Sequence, residues 1–326
     1  MKKWLVVEIC VLILILAAGI WICGELSAFA PSQPEQPAQT QETTQATTQE
    51  TTQATEPWMT IPTDRELTAK QAFVYDCSAG SFAYLLGGET DRVYPASITK
   101  LFTAYVALQF LAPEQQITAG EVLDLVGPGS SVAGIEKGNV LTVEMLVEAM
   151  LLPSGNDAAY ILADAAGKVI REDASLSPSK AIDAFLKEMN GQARSLGMSG
   201  TQFTNPDGYH SPDHYTTFAD MVKMGEKVIA NETIMQYAVV SKENPVFESG
   251  EEKNWENTNK LVDPTSPYYC SFATGLKTGQ TPSAGSCLLS SFDYAGKQYI
   301  IGVFGCPEIE DRFVDTLQLL KQTVGE

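Results

Sequence analysis

The order of apolar runs constrains this chain more than any other feature. Residues 71–77 and 81–86 are rich in aromatic and β-branched side chains and flank the turn Ser78-Ala79-Gly80, which predicts a hairpin. Apolar positions then recur at helical spacing over residues 97–111, 142–152, 157–167, 179–196 and 218–230. Pro153-Ser154-Gly155-Asn156 breaks the second helix from the third, and Gly197 ends the fourth. Residues 117–135 read as irregular, and 201–217 as a polar loop. Strand-like runs return at 272–278, 286–292 and 298–304, and a helix over 311–324 closes the chain. Strands at both ends with helices between predict one antiparallel sheet built from the N- and C-terminal strands around a helical insert, an α+β fold.

The 326 residues, 44% of them hydrophobic, suffice for a large buried core. A net charge of −19 excludes nucleic acid as a partner, because phosphate binding needs a basic patch. His210 and His214 have no Cys or His partner at metal-like spacing, so no structural metal is expected. Cys10 and Cys23 lie in the N-terminal apolar stretch. Cys77, Cys270, Cys287 and Cys306 lie in the body and read as buried thiols, with a disulfide left open.

Lys2 and Lys3 precede an apolar stretch, 4–23, interrupted only by Glu8. That length fits a transmembrane helix, and the lysines predict an N-terminus inside the cell with the body outside. Ala28-Phe29-Ala30 resembles a cleavage site, but Pro31 follows at once, so an uncleaved signal-anchor on the cell membrane is expected. Residues 24–59, rich in Thr, Gln and Pro, read as an extended tether. The catalytic body is expected over 60–326, on the extracytoplasmic side.

Three short motifs carry chemistry. In Ser97-Ile98-Thr99-Lys100, Pro95 marks a helix start and places Ser97 and Lys100 one turn apart on one face. A serine hydroxyl becomes a nucleophile when a base takes its proton, and a buried lysine can be that base. Ser154-Gly155-Asn156 sits in a helix break, where a hydroxyl can relay a proton and an amide can bond both a lysine and a substrate carbonyl. Lys277-Thr278-Gly279 ends a strand; its cation and hydroxyl can hold a carboxylate, and Gly279 permits close backbone approach.

Taken in this order, the three motifs resemble those of the active-site-serine penicillin-recognising enzymes. The chain is most similar to the serine-type D-alanyl-D-alanine carboxypeptidases, the low-molecular-mass penicillin-binding proteins. The likeness extends through residues 92–105, 150–159, Met189-Asn190, 201–208, Tyr215-Thr216-Thr217 and 275–281, and covers about 65–310. It implies a β-lactamase/transpeptidase-like fold, no cofactor and no metal. It also implies an acyl-enzyme on Ser97, with Lys100 as base, Ser154 as proton relay and Asn156 positioning Lys100 and substrate. Lys277 and Thr278 would hold the substrate's terminal carboxylate, Gly279 would let its backbone approach, and the backbone N–H groups of Ser97 and Gln280 would hold the oxyanion. The implied partners are peptidoglycan stem peptides ending in D-Ala-D-Ala, β-lactams as inhibitors, and the membrane through the N-terminal helix.

Many relatives have Gly-Leu-His where this chain has Gly208-Tyr209-His210. The β-lactamase alternative lacks its deacylating Glu-x-x-Leu-Asn stretch between Asn156 and Lys277. A histidine-based hydrolase lacks G-x-S-x-G. A DD-endopeptidase or transpeptidase using the same residues stays open, as does a non-catalytic wall-binding or penicillin-sensing protein.

Overall fold

A computed structural model describes residues 56–325. The expected anchor at 4–23 and nearly all of the tether lie outside the described residues. Among the described residues no helix is long and apolar enough to cross a membrane.

The strands are β1 (Gln71–Asp76), β2 (Ser81–Leu86), β3 (Gln116–Thr118), β4 (Val140–Thr142), β5 (Lys242–Glu243), β6 (Trp255–Glu256), β7 (Ala273–Thr281), β8 (Gly285–Tyr294) and β9 (Lys297–Cys306). The helices are α1 (Thr99–Ala107), α2 (Val143–Leu151), α3 (Asn156–Ile170), α4 (Pro178–Ser195), α5 (Phe218–Ile229), α6 (Glu232–Ala238) and α7 (Asp311–Val324). The main sheet is antiparallel, in the order β2-β1-β9-β8-β7. Its N-terminal hairpin joins its C-terminal strands through β1 and β9, with Phe73 opposite Gly302. The α+β arrangement expected from both chain ends is the one found.

Successive residues of the central strands point to opposite faces. Phe73, Leu289, Ile300 and Phe304 join the helical core on one face. Val74, Leu288, Ile301 and Val303 face Leu317 and Leu320 of α7 on the other. Both faces are covered, which explains why these strands read as continuous apolar runs. Trp58, two residues before the expected start of the body, is buried in the second core and meets Phe272 edge to face. The packed body therefore takes in the short turn Pro57–Thr60.

The Thr142 hydroxyl caps α2 by accepting from Met145 N, and the Thr217 hydroxyl caps α5 by accepting from Asp220 N. Helix α6 and the β5–β6 and β3–β4 pairs were not evident in the sequence; the strands in them are two or three residues long. Cys77, Cys270, Cys287 and Cys306 are all free thiols.

Candidate active site

Ser97 is not in an α-helix. It occupies a single 3-10 turn, Ala96–Ile98, and α1 begins at Thr99. Pro95 fixes the entry, and Ala96 takes a left-handed φ of 48°. Ser154 (φ 64°) and Leu276 (φ 79°) share this unfavourable conformation. Each of the three chemistry-bearing motifs thus holds or adjoins a non-glycine residue in a region that costs about 1 kcal/mol or more to occupy.

The strain at Ala96 is held in place by two glycines from distant segments. A Cβ on Gly279 of β7 would lie 2.8 Å from the carbonyl oxygen of Pro95 and 3.3 Å from Ser97 N. A Cβ on Gly208 would lie 1.8 Å from the carbonyl oxygen of Ala96, and Gly208 itself has φ 84°. The expectation that Gly279 serves the substrate's approach is therefore incomplete: its missing side chain first makes room for the nucleophile turn.

Lys100 projects from the first turn of α1 and is fully buried. Its Nζ donates to Ser97 Oγ at 2.8 Å and to the carbonyl oxygen of Asp207 at 2.9 Å. Burial lowers its pKa to about 8, against the opposing pull of Asp207 and Asp157. Asn156 does not bond Lys100 as its expected positioning role requires. Asn156 Oδ1 is buried with no partner, and Asn156 N donates to the carbonyl oxygen of Ser131. Ser131 Oγ in turn donates to the carbonyl oxygen of Ser154, so residues 131 and 154–156 clip the helix break to the irregular segment.

Lys277 sits on the edge strand β7, also fully buried. Its Nζ donates to Thr258 Oγ1 at 3.2 Å and to Thr278 Oγ1 at 3.3 Å, and those two hydroxyls are 2.6 Å apart. Burial pushes its pKa well below the ordinary lysine value, and the cations Lys100 and Arg312 push it the same way. Arg312, in the first turn of α7, is buried too; Nη1 is 3.5 Å from the Gly279 carbonyl oxygen and Nε has no partner. Burial lowers Arg312 to about 10.

Ser97 stands between two lobes of one cleft. One, of about 580 Å³, is lined by Ser154, Thr258, Thr278, Gly279, Gln280 and Arg312. The other, of about 470 Å³, is lined by Asn156, Tyr209, His210 and Ser283, and Gln280 reaches both. The first lobe has a cationic end at Arg312; the second has no Asp, Glu, Lys or Arg side chain. Such a cleft can seat a chain ending in a carboxylate, with the bond to be attacked over Ser97.

Of the expected residues, Ser97, Ser154, Asn156, Thr278, Gly279 and Gln280 line this cleft, and Lys100 and Lys277 lie buried behind it, bonded to Ser97 and Thr278. Sequence reasoning missed Ser131, Thr258, Gly208 and Arg312. The polar loop 201–217 also proves structural. His214 Nδ1 accepts from Thr204 N, which leaves Nε2 to donate to Thr99 Oγ1 at 2.8 Å. Burial drops His214 to about 3, so it stays neutral.

The sequence profile of the D-alanyl-D-alanine carboxypeptidases matches residues 52–308. The chain is similar to D-alanyl-D-alanine carboxypeptidase DacF of Bacillus subtilis (strain 168), 27% identical over 77% of this chain and 61% of that one. It is also similar to a D-alanyl-D-alanine carboxypeptidase of Streptomyces sp. (strain K15), 29% identical over 80% of this chain and 89% of that one. The chain thus spans about three-fifths of the Bacillus relative's length. Among solved structures, the Streptomyces K15 DD-transpeptidase matches with a TM-score of 0.71 at 26% identity, over 80% of this chain and 99% of that one. Penicillin-binding protein D2 of Listeria monocytogenes, in its ampicillin-bound form, matches with a TM-score of 0.64 at 26% identity, over 79% and 98%. Family profile, fold and cleft agree, and the chain belongs to the D-alanyl-D-alanine carboxypeptidase family.

Proposed function

We propose that this protein is a serine D-Ala-D-Ala carboxypeptidase that removes the terminal D-alanine from peptidoglycan stem peptides and is acylated by β-lactams. The observation that carries this reading is the 2.8 Å bond between Ser97 Oγ and a wholly buried Lys100, beside a cationic lobe. Ser97 attacks the carbonyl carbon between the two D-alanines while its proton passes to Lys100. The N–H groups of Ser97 and Gln280 hold the oxyanion, and Ser154 passes a proton to the departing amine. Asn156 Oδ1, left without a partner, accepts from the substrate backbone. Lys277, Thr278 and Arg312 take the terminal carboxylate. Water then releases the acyl group. An N-terminal anchor at 4–23 and the tether behind it place the domain outside the cell membrane.

The test is D-alanine release from a peptide ending in Lys-D-Ala-D-Ala by the full chain in mild detergent, with Ser97→Ala alongside. One D-alanine per peptide, absent in Ser97→Ala and blocked by penicillin, is the expected result. Penicillin labelling without release, together with transfer to an added acceptor amine, would instead favour a transpeptidase, the activity in the name of the Streptomyces K15 structure.

A further inference from the structure

A base that takes the proton of Ser97 becomes a buried ammonium. Lys100 and Asp207 are both fully buried. The Asp207 carbonyl oxygen already accepts from Lys100 Nζ at 2.9 Å, so residue 207 abuts the amine directly. Its side chain has one oxygen occupied, Oδ1 accepting from Tyr209 N at 3.1 Å. The other, Oδ2, is buried and has no partner. Burial raises the Asp207 pKa and the nearby Lys100 works against that rise; a buried carboxylate oxygen without a partner is costly unless a nearby charge offsets it.

Other groups face this pair. Asp157, from α3, is the second carboxylate near Lys100, but its oxygens are already engaged by Ala133 N at 2.9 Å, Ile135 N at 3.0 Å and Ala158 N at 2.9 Å. Lys277, on β7, is the other lysine interacting with Lys100; burial holds its proton affinity well below the ordinary lysine value, and it offers no negative charge. Tyr160, also from α3, is pushed up by burial and by the Asp207 carboxyl. His214 engages Thr99, and Ser97 and Thr103 offer uncharged hydroxyls. Asp207 Oδ2 is thus a buried carboxylate oxygen without a partner, on the residue whose carbonyl oxygen accepts from Lys100.

We propose that Asp207 is a positioning residue of the reaction, its carboxylate serving as the counter-charge against which the Lys100 ammonium forms. This rests on the acyl-enzyme reading above. In the acylation step the Ser97 O–H bond breaks, Oγ bonds to the substrate carbonyl carbon and the proton becomes the third on Lys100 Nζ. The carbonyl electron pair moves to oxygen, then returns as the C–N bond breaks and the amine leaves with a proton. Asp207 gains and loses none. The loop carrying it is tied to the same helix, because Thr103 Oγ1 donates to the Pro206 carbonyl oxygen at 2.6 Å. Asn205 Oδ1 accepts from Gly208 N, which fixes the turn that presents it.

The test is the pH dependence of Ser97 acylation by a fluorescent penicillin, with the full chain as wild type, Asp207→Asn and Asp207→Ala. Asn keeps the size and the acceptor for Tyr209 N and removes only the charge. For Asp207→Asn, the acid limb should move about one pH unit lower and the plateau should fall about tenfold. With the peptide substrate, KM should stay within about twofold of wild type while kcat falls, because Asp207 does not touch substrate. Asp207→Ala, which cannot clash, should show the same displaced limb and carries the test if Asp207→Asn does not fold. A limb that stays at the wild-type pH in the folded variants, whatever the plateau, reduces Asp207 to a loop cap and overturns the proposal. A wild type that penicillin does not acylate at Ser97 refutes the acyl-enzyme reading itself, so the two failures are distinct.

Discussion

Lys100 and Lys277 are both fully buried behind one cleft, bonded to its lining residues Ser97 and Thr278, yet their neighbours differ in kind. Lys100 faces two carboxylates, Asp207 and Asp157, and burial takes it only to about 8. Lys277 has hydroxyl partners, and the charged groups acting on it are the cations Lys100 and Arg312. The balanced lysine can gain and lose a proton near neutral pH, which suits a base. The unbalanced one is short of negative charge and completes its surroundings when an anion arrives. The comparison teaches that burial alone does not assign a role; the sign of the neighbouring charge does.

The largest effect should come from abolishing the difference at the base. Lys100→Arg keeps a cation but cannot become neutral, and penicillin acylation should fall by about 10³-fold or more. Retained acylation, measured by mass spectrometry of Ser97, would break the comparison. Gly208→Ala should cost on the order of 10²-fold, because its Cβ overlaps the Ala96 carbonyl and displaces the nucleophile turn. At the other end, Lys277→Ala and Arg312→Gln should each raise KM for a carboxylate-ended peptide about tenfold or more. A peptide amide, which has no carboxylate, should remove most of that penalty.

The smallest effects are in pH. Because Lys100 must be neutral to act, kcat/KM should rise with pH and level off above about 8. Lys277 has a lowered proton affinity when empty, and a bound anion raises it, so binding should take up protons. Calorimetry of peptide binding to Ser97→Ala in two buffers of different ionisation enthalpy measures this. Binding with no proton exchange would mean that Lys277 is charged before the anion arrives.

Much of this was legible in the sequence. The five strands of the main sheet and α7 lie within two or three residues of the expected runs; the central strands, buried on both faces, leave unbroken apolar stretches, while the edge strand β2 reads from its β-rich composition. Ser97, Lys100, Ser154 and Lys277 were readable because their chemistry is local to a motif. Thr258 and Arg312 were not. Each acquires its role by facing a residue distant in sequence, Thr258 facing Lys277 and Arg312 facing Gly279 across the β8–β9 hairpin. The 3-10 turn at Ser97 was hidden for the same reason: Gly208 and Gly279, far along the chain, impose it. Asn156 shows a further limit. Its amide was expected to bond Lys100, but the backbone of Ser131 holds the residue so that Oδ1 is left unpaired.

The close fit of Gly208 and Gly279 around Ala96 and Ser97 also has a consequence for how the protein reaches its working state. Three segments separated by more than a hundred residues along the chain, or by about seventy, must all arrive before the turn carrying the serine can take its shape. Contacts that distant in sequence form late, after local helices. Reactivity toward penicillin should therefore emerge in refolding behind the recovery of helical signal. Time-resolved labelling of Ser97 would then serve as a clock for the final closure of the chain.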